Sequence, residues 1–177
     1  MPTKRTSESR YCLQCGSQLI KINHTGRLRQ ACPSCGWIFF EDPKVASAAL
    51  IVHEKEVLLV RRAYNPFRGL WTLPAGFVDA GEDPVITIER ECLEETGLRI
   101  KVVGLFDVLH GLEHPRGAHI LIVYRAEIID ENHDRKTKMI AGDDVDSVEF
   151  FPLDSLPPLA FLTTRKILSK LDSNLAQ

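Results

Sequence analysis

The sequence has no long hydrophobic run. No stretch of its 177 residues approaches the roughly 18 consecutive apolar residues of a membrane span. Residues 1–10 contain no apolar segment that could serve as a signal peptide, and their composition predicts a disordered polar tail. These absences predict a cytoplasmic protein without a membrane partner.

A strong net charge is also missing. The chain carries 22 Lys and Arg residues against 24 Asp and Glu residues, which gives a formal net charge of −2. Nothing in this balance demands a nucleic acid or a membrane surface as partner. No internal repeat or low-complexity tract is present, and 44% of the residues are hydrophobic. The chain can therefore form one ordinary domain with a sizeable core plus a small appendage.

Cysteine is scarce, but four of the five cysteines form two Cys-x2-Cys pairs. Each pair is followed by glycine, and sixteen residues separate the two pairs. In a secreted mini-domain this pattern would suggest disulfides, whereas in a cytoplasmic chain it suggests metal. Four thiolates at this spacing can close a tetrahedral zinc site, and each glycine lets the backbone turn sharply beneath the metal. The pattern resembles a zinc ribbon, with a structural Zn²⁺ held by Cys12, Cys15, Cys32 and Cys35.

The segment between the two pairs predicts a hairpin, because residues 18–22 and 27–31 flank a run of turn residues at 23–26. A segment of roughly thirty residues buries too little apolar surface to fold alone, so the metal would form its core. Residues 1–44 carry seven Lys and Arg residues against three acidic ones. These charges are scattered without interleaved aromatic residues, which favours a solvated surface over a nucleic-acid site.

The most informative stretch covers residues 76–98. Within it, Asp83 followed by Pro84 predicts a helix start, with a side-chain acceptor at the cap and proline at the first helical position. Gly97 predicts the helix end. The sequence therefore predicts a helix over residues 84–96.

This helix carries an acidic face. At about 100° per residue, Glu94 and Glu95 fall on either side of Glu91, so three carboxylates share one side. Apolar residues recur at helical spacing on the other side, namely Val85, Ile88 and Cys92. That arrangement predicts an acidic stripe turned outward and an apolar stripe turned inward. Taken alone, three such glutamates are typical of a solvated helix surface.

The fixed residues of the stretch follow a specific spacing. The pattern is glycine, five residues, glutamate, seven residues, Arg-Glu, an apolar position, any residue, Glu-Glu, any residue, glycine and an aliphatic residue. It is carried by Gly76, Glu82, Arg90, Glu91, Glu94, Glu95, Gly97 and Leu98. This resembles the Nudix box, the signature of the Nudix hydrolase family. The one departure is Cys92, where the family usually has Ile, Leu or Val, and a buried free cysteine behaves as a small hydrophobe.

The resemblance implies an α/β fold, a Nudix-type α/β/α sandwich with a mixed sheet, over residues 43–177. The zinc ribbon would precede it over residues 11–42. Apolar runs agree with this architecture, because they predict strands over residues 45–52, 57–61, 70–73, 100–109, 120–128 and 147–151. A closing helix is predicted within residues 158–171.

Cleaving a phosphoanhydride requires positive charge around the phosphorus and a base for the attacking water. Clustered carboxylates meet the first need by collecting divalent ions such as Mg²⁺ or Mn²⁺, which take oxygen ligands. The resemblance implies that the ligands are the side chains of Glu91, Glu95 and Glu94 and the carbonyl oxygen of Gly76.

The resemblance also implies supporting and catalytic roles. Arg90 would pair with Glu82 and orient Glu91, a task suited to a planar and permanently charged side chain. The family often uses an additional acid from a late loop as ligand or base. Asp143, Asp144 and Asp146 lie where that acid should come from, and Asp144 is the favoured candidate.

For the substrate, the resemblance implies a nucleoside diphosphate linked to a second moiety, of the ADP-ribose or FAD class, with AMP as one product. The ribbon followed by residues 69–76 and 159–161 is similar to zinc-ribbon Nudix enzymes that act on these compounds. The Ser-Gln-Pro-Trp-Pro-Phe-Pro signature of the NADH pyrophosphatase branch is absent from residues 106–115. Candidate substrate contacts are Arg116, in the predicted loop over residues 110–119, and the aromatic residues Phe67, Trp71 and Phe161.

Several alternatives stay open at this point. An NADH pyrophosphatase, a house-cleaning nucleoside triphosphate pyrophosphohydrolase and an RNA 5′-end pyrophosphohydrolase belong to the same enzyme class. A zinc-ribbon nucleic-acid-binding or nucleotide-sensing regulator belongs to another class, and loss of a box carboxylate would have favoured it. None is lost. The family often dimerises, which leaves a homodimer open.

Overall fold

The structure is a computed structural model that describes residues 11–111, 119–129 and 139–175. The chain divides into two compact units, one ending at Pro43 and the other starting at Lys44. Within the described ranges, no helix has both the length and the apolar character needed to span a bilayer.

The first unit contains three short strands, β1 (Ile20–His24), β2 (Arg27–Ala31) and β3 (Ile38–Phe39), which form an antiparallel sheet in that order. The turn between β1 and β2 consists of Thr25 and Gly26, whose φ angles are 50° and 79°. Two positive φ values in a two-residue turn match the twist of a hairpin. The hairpin agrees with the prediction from the sequence, whereas β3 was not predicted.

The second unit contains two sheets. Its strands are β4 (Lys44–Leu50), β5 (Val52–His53), β6 (Glu56–Arg62), β7 (Trp71–Thr72), β8 (Ala75–Phe77), β9 (Ile100–Gly111), β10 (His119–Ile128) and β11 (Val145–Pro152). One sheet has the order β8-β4-β10-β9 and is mixed, because β4 and β10 run parallel and the other neighbours antiparallel. The other sheet has the order β11-β6-β5, with β7 paired to β6.

Two helices, α1 (Pro84–Thr96) and α2 (Leu162–Leu175), belong to two separate apolar cores. Successive residues of β4 and β6 alternate between these cores, as side chains on a strand must. Ala48, Leu50, Val57 and Leu59 join the core that contains Ile167, Leu168 and Leu171 of α2. Ala49, Leu58 and Val60 join the core that contains Ile88 and Cys92 of α1. Strands that are buried on both faces and covered by a helix on each confirm the α/β/α architecture.

Helix α1 begins and ends at the predicted residues. The Val85 amide donates to the Asp83 side chain at 2.8 Å, which caps the first turn. At the other end Gly97 has a φ of 71°, and its N–H donates to the Leu93 carbonyl. Both signals are local in sequence, which explains why they could be recognised without the fold.

The closing helix differs from its predicted bounds. It begins at Leu162, inside the predicted range of residues 158–171, and it continues beyond that range to Leu175. The helix starts at Leu162 because the preceding residues pair with β7. The Trp71 N–H donates to the Pro158 carbonyl, and the Ala160 N–H donates to the Trp71 carbonyl. A backbone committed to these bonds cannot also form a helical turn.

Candidate functional site

The box residues of the second unit line a cavity of about 590 Å³. This volume lies in the range of small-molecule sites, about 300–1,000 Å³. One end of the cavity is formed by β8, by α1 and by the segment before β11, which contribute Gly76, Arg90, Glu91, Glu95, Asp143 and Asp144.

Strand β8 and helix α1 come into direct contact at Gly76. Gly76 pairs with Ser47 of β4, which fixes it at the edge of the mixed sheet. A Cβ atom at this position would lie 1.9 Å from Glu91 Cδ and 2.0 Å from Glu91 Oε1. In this conformation the Glu91 carboxylate occupies the space of a side chain at position 76, so it lies directly against the Gly76 main chain.

Arg90 ties three glutamates together. Its Nε and Nη2 donate to the two carboxylate oxygens of Glu82, each at 3.0 Å. Its Nη1 donates to Glu91 Oε1 at 2.9 Å and to Glu94 Oε2 at 3.0 Å. Hydrogen bonds from Arg90 lower the pKa of Glu82 to about 2. Arg90 thus fixes the Glu91 carboxylate from the side, while Glu82 fixes Arg90.

The acidic face is not turned outward as the helix periodicity predicted. Glu95 is only 4% exposed, and its Oε2 accepts a 3.0 Å hydrogen bond from the Ala75 N–H. Glu91 is half-buried, and only Glu94 is exposed. The prediction was wrong for Glu95 because β8 runs alongside α1 and covers this side of the helix, which helical periodicity alone could not reveal.

Residues before β11 bring two more acids to the cluster. The Ile140 N–H donates to the Thr96 carbonyl, and the Gly142 N–H donates to the Glu95 carbonyl. These bonds hold the segment against the end of α1 and place Asp143 and Asp144 in the cavity wall. Asp146 is instead paired with Arg61 at 2.6 Å. Among the three late-loop candidates, the cavity therefore contains Asp144, which the sequence favoured, together with Asp143.

The donor set at this end has the chemistry that a divalent cation requires, although among the described residues only the four paired cysteines bring three or more ligand atoms within 4.8 Å of one another. Burial raises the pKa of Glu91 above its ordinary value, although Arg90 opposes the shift. Burial, followed by the charge of Asp144, raises the pKa of Glu95 much further. Buried carboxylates with raised pKa values gain most from a nearby positive charge. Carboxylate oxygens are the ligands that Mg²⁺ and Mn²⁺ prefer. The type of ligand atom and the electrostatics therefore both favour a divalent cation.

The cavity wall also includes Phe161 and Arg62. The Arg62 guanidinium lies over the Phe161 ring, 5.4 Å from its centroid, and its Nε donates to the Pro66 carbonyl at 2.8 Å. The candidate contact Phe67 is not among the residues that line the cavity, and it meets Phe161 edge to face with ring centroids 5.1 Å apart. An aromatic ring beside a held guanidinium can receive a flat, polar group of a ligand.

The other two candidate substrate contacts have different outcomes. Trp71 is 7% exposed, packs against Phe151 in the α2-side core, and is not among the residues that line the cavity. It is a core residue, because β7 pairs with β6 and turns the indole inward. Arg116 lies outside the described residues.

Sequence reasoning missed Arg62. The available signal was the pair Arg61-Arg62 at the end of β6, because consecutive strand residues point to opposite faces. One of the two arginines pairs with Asp146, and the other enters the cavity wall. The sequence alone does not tell which arginine does which, since Phe161 is ninety-nine positions from Arg62.

The four paired cysteines of the first unit also converge. The Sγ atoms of Cys12, Cys15, Cys32 and Cys35 all lie within 4.8 Å of one another. A tetrahedral zinc with Zn–S distances of about 2.3 Å needs sulfur atoms about 3.8 Å apart, so the cluster fits such an ion. Each pair turns in the same way, because Gly16 and Gly36 have φ angles of 73° and 74°. Their N–H groups donate to the Cys12 and Cys32 carbonyls.

The chain is similar in sequence and in fold to several known proteins. A NUDIX domain family model matches residues 42–171. The chain is 41% identical to the ADP-ribose pyrophosphatase of Methanocaldococcus jannaschii over 120 residues, 67% of this chain and 68% of that protein. It is 28% identical to the NAD-capped RNA hydrolase NudC of Pseudomonas aeruginosa over 152 residues, 85% of this chain. The chain spans 50% of the length of that relative. A crystal structure of a NUDIX hydrolase from Nitrosomonas europaea matches with a TM-score of 0.76 at 31% identity, covering 90% of this chain and 88% of that chain.

The contact between Arg90 and Glu82 gives a pKa prediction. In metal-free protein, the Glu82 carboxylate should titrate at about 2, and Arg90→Gln should return its pKa towards 4.5. Since the folded-state pKa is lowered, the contact stabilises the fold fully above pH 4.5 and this contribution disappears as the pH falls towards 2. Carbon-detected NMR titration measures the value. Arg99→Gln removes a charge just beyond α1 and should leave Glu82 unchanged. An equal shift in both variants would contradict a specific contact.

Proposed function

The chain belongs to the Nudix hydrolase family, and from this premise we propose that it cleaves the diphosphate of a nucleoside diphosphate linked to a second moiety. The observation that carries this proposal is the acidic end of the cavity, where Glu91 and Glu95 lie beside Gly76 and Asp144. All box carboxylates are present. This favours an active enzyme over a sensor that binds a nucleotide without cleaving it.

The proposed metal ligands are Glu91, Glu94, Glu95 and the Gly76 carbonyl oxygen. Bound Mg²⁺ or Mn²⁺ would supply positive charge to the diphosphate and lower the pKa of a water molecule. Glu94 is 46% exposed at its side chain and is not among the residues that line the cavity. It would contribute from the rim, where Arg90 already holds its Oε2.

The remaining chemistry is assigned to side chains of this chain. Arg90 and the Ala75 N–H hold the Glu91 and Glu95 carboxylates in fixed positions, which avoids reorganisation during the reaction. Asp144 is proposed to take the proton of the attacking water. The water oxygen forms a bond to one phosphorus, the bond from that phosphorus to the bridging oxygen breaks, and the second phosphate leaves with the bridging oxygen. The products are AMP and the phosphate ester of the second moiety.

ADP-ribose is the substrate that we place first, with FAD as a further candidate of the same class. The similarity to the Methanocaldococcus jannaschii ADP-ribose pyrophosphatase supports this order. In the cavity, Phe161 and Arg62 would contact the base or the second moiety, while the diphosphate lies at the carboxylates.

A second candidate is hydrolysis of an NAD-type cap on RNA. The match to NudC covers 85% of this chain, more than the 67% matched by the ADP-ribose pyrophosphatase. The two candidates share the bond that is cleaved and differ in what is attached to it. Parallel assays with ADP-ribose, FAD, NADH and NAD-capped RNA, with chromatography of the products, decide between them.

For the first unit, we propose that one structural zinc binds Cys12, Cys15, Cys32 and Cys35. Four thiolates leave no open coordination position, so this metal would take no part in catalysis. Its contribution would be to folding, because the three short strands bury little apolar surface on their own.

Removing one carboxylate charge tests the catalytic proposal. Glu91→Gln keeps the shape and the contact with Arg90 but weakens the proposed metal site, so kcat should fall by more than the roughly 10- to 100-fold typical of outer partners. Thermal stability should stay or rise, since a half-buried charge is removed. Glu89→Gln is the matched control, because Glu89 lies on the same helix and accepts from the Val102 N–H instead. Near-normal turnover in Glu91→Gln, or full activity in EDTA, would refute the mechanism.

Truncating Phe161 tests the substrate assignment. Phe161→Ala should raise KM for ADP-ribose by about 2- to 10-fold with little change in kcat, because aromatic contacts are worth about 0.5–1.5 kcal/mol and Phe161 is not one of the proposed metal ligands. KM for a small diphosphate ester without a base should not change. Leu162→Ala, at the exposed neighbouring position, is the control. A preference for triphosphates with release of pyrophosphate would replace this assignment by the house-cleaning alternative.

Metal analysis tests the zinc proposal. Purified protein should contain about one zinc per chain, and the double variant Cys32→Ser/Cys35→Ser should lose it. The Cys92→Ser variant should retain the zinc of the first unit, because Cys92 is buried in the α1-side core of the second unit. Wild-type protein without zinc but with an ordered first unit, as judged by NMR, would disprove the assignment.

A further inference from the structure

One face of the first unit carries an aromatic ring between an arginine and a histidine side chain. Phe40, directly after β3, is 52% exposed. The Arg29 guanidinium lies over its ring at 5.2 Å from the centroid. The His24 ring meets it edge to face at 6.2 Å.

The pairing of β1 with β2 extends this cluster. His24 lies opposite Arg27, and Ile22 lies opposite Arg29. Paired residues on antiparallel strands share a face, and positions two apart share it as well. His24, Arg27 and Arg29 therefore lie on one face of the hairpin, and Lys21, opposite Gln30, lies on the other. The first face, defined by His24, Arg27, Arg29 and Phe40, is called the cationic face below.

Basic residues outnumber acidic ones around the cationic face. Residues 9–40 contain four Lys and Arg residues and no Asp or Glu, and Glu41 and Asp42 directly follow Phe40. Within the described ranges, no carboxylate forms a salt bridge with Arg27 or Arg29. The negative charge of a zinc-bound thiolate cluster would lie at the opposite end of the hairpin from the Thr25-Gly26 turn.

An exposed aromatic ring beside guanidinium groups that form no salt bridge with the described residues is complemented by one type of ligand. Single-stranded nucleic acid offers a base that stacks on the ring and phosphates that pair with the cations. An apolar protein surface would leave both guanidinium groups without a counter-charge. In the sequence these charges are scattered without an adjacent aromatic residue, which favoured a solvated surface. The pairing of β2 with β3 brings Phe40 to Arg29 and changes that interpretation.

We propose that the cationic face is a binding site for single-stranded nucleic acid, in which Phe40 stacks on a base and Arg27 and Arg29 bind the flanking phosphates. This site is separate from the cavity that holds the box carboxylates, since all residues that line the cavity belong to the second unit. The proposal does not depend on which diphosphate the cavity cleaves.

The test measures binding of a labelled oligonucleotide to the full, zinc-loaded protein by fluorescence anisotropy. The probe is oligouridylate of about 12 nucleotides, within the usual range of site sizes, with a hydroxyl at its 5′ end so that no diphosphate is available to the cavity. Phe40→Ala should weaken binding at least about fivefold, as expected for loss of one stacked base. Arg29→Glu should weaken it comparably, and binding should fall as salt increases. An oligothymidylate arm shows whether the 2′-hydroxyl contributes, and preference for either probe supports the proposal.

Lys21→Glu is the matched control, because it makes the same charge change on the opposite face of the same hairpin. It should weaken binding much less than Arg29→Glu. Zinc content and hydrolysis of a small dinucleotide should be unchanged in all three variants, which separates loss of binding from loss of folding. Equal losses for Lys21→Glu and Arg29→Glu, or no binding of either probe by wild-type protein, would overturn the proposal. So would a cationic face that joins two copies of the chain, detected as dissociation of a dimer by Phe40→Ala without any nucleic-acid binding.

Discussion

The approach of α1 to β8 at Gly76 is the contact on which the candidate site depends. The helix lies so close to the strand that the Glu91 carboxylate fills the space of a missing side chain. One turn later, Glu95 accepts a hydrogen bond from the Ala75 N–H of the same strand. Helix and strand are therefore in contact at two successive turns, and the Arg90 side chain also holds the Glu91 carboxylate. A larger residue at position 76 would displace the Glu91 carboxylate.

This packing buries the carboxylates of Glu95 and Glu91, and their negative charge is only partly compensated by neighbouring residues. Burial and the neighbouring acids oppose ionisation of Glu95 and, more weakly, of Glu91. Arg90 supplies one positive charge and shares it among three glutamates. The folded state is thus less stable than it would be with neutral groups at these positions. A ligand that brings positive charge binds the folded form preferentially and returns that stability. The proposed cation binding and the loss of stability from buried charge would then have the same origin in this cluster.

Whether a structural feature could be predicted from the sequence depended on how far apart the interacting residues lie along the chain. The ends of α1 follow from Asp83 and Gly97, whose signals lie next to the helix. The cysteine pairs likewise carry their own spacing. Burial of Glu95, by contrast, required knowledge of where β8 lies, and the start of α2 required the pairing with β7. The Arg62–Phe161 contact joins residues that no local pattern connects. Features determined by neighbouring residues could therefore be predicted, whereas contacts between distant segments could not.

The segment that carries Asp143 and Asp144 is anchored on both sides. Its amide groups bond to the carbonyls at the end of α1, and the Asp144 carbonyl accepts from the Ala63 N–H beyond β6. The acids are therefore positioned by α1 and β6, not by the length of chain that leads to them from β10. As a result, a change that moves the end of α1 or of β6 would carry Asp143 and Asp144 with it, because both anchors are main-chain hydrogen bonds. The distance from these two acids to the carboxylates of α1 is therefore set by the backbone of the second unit.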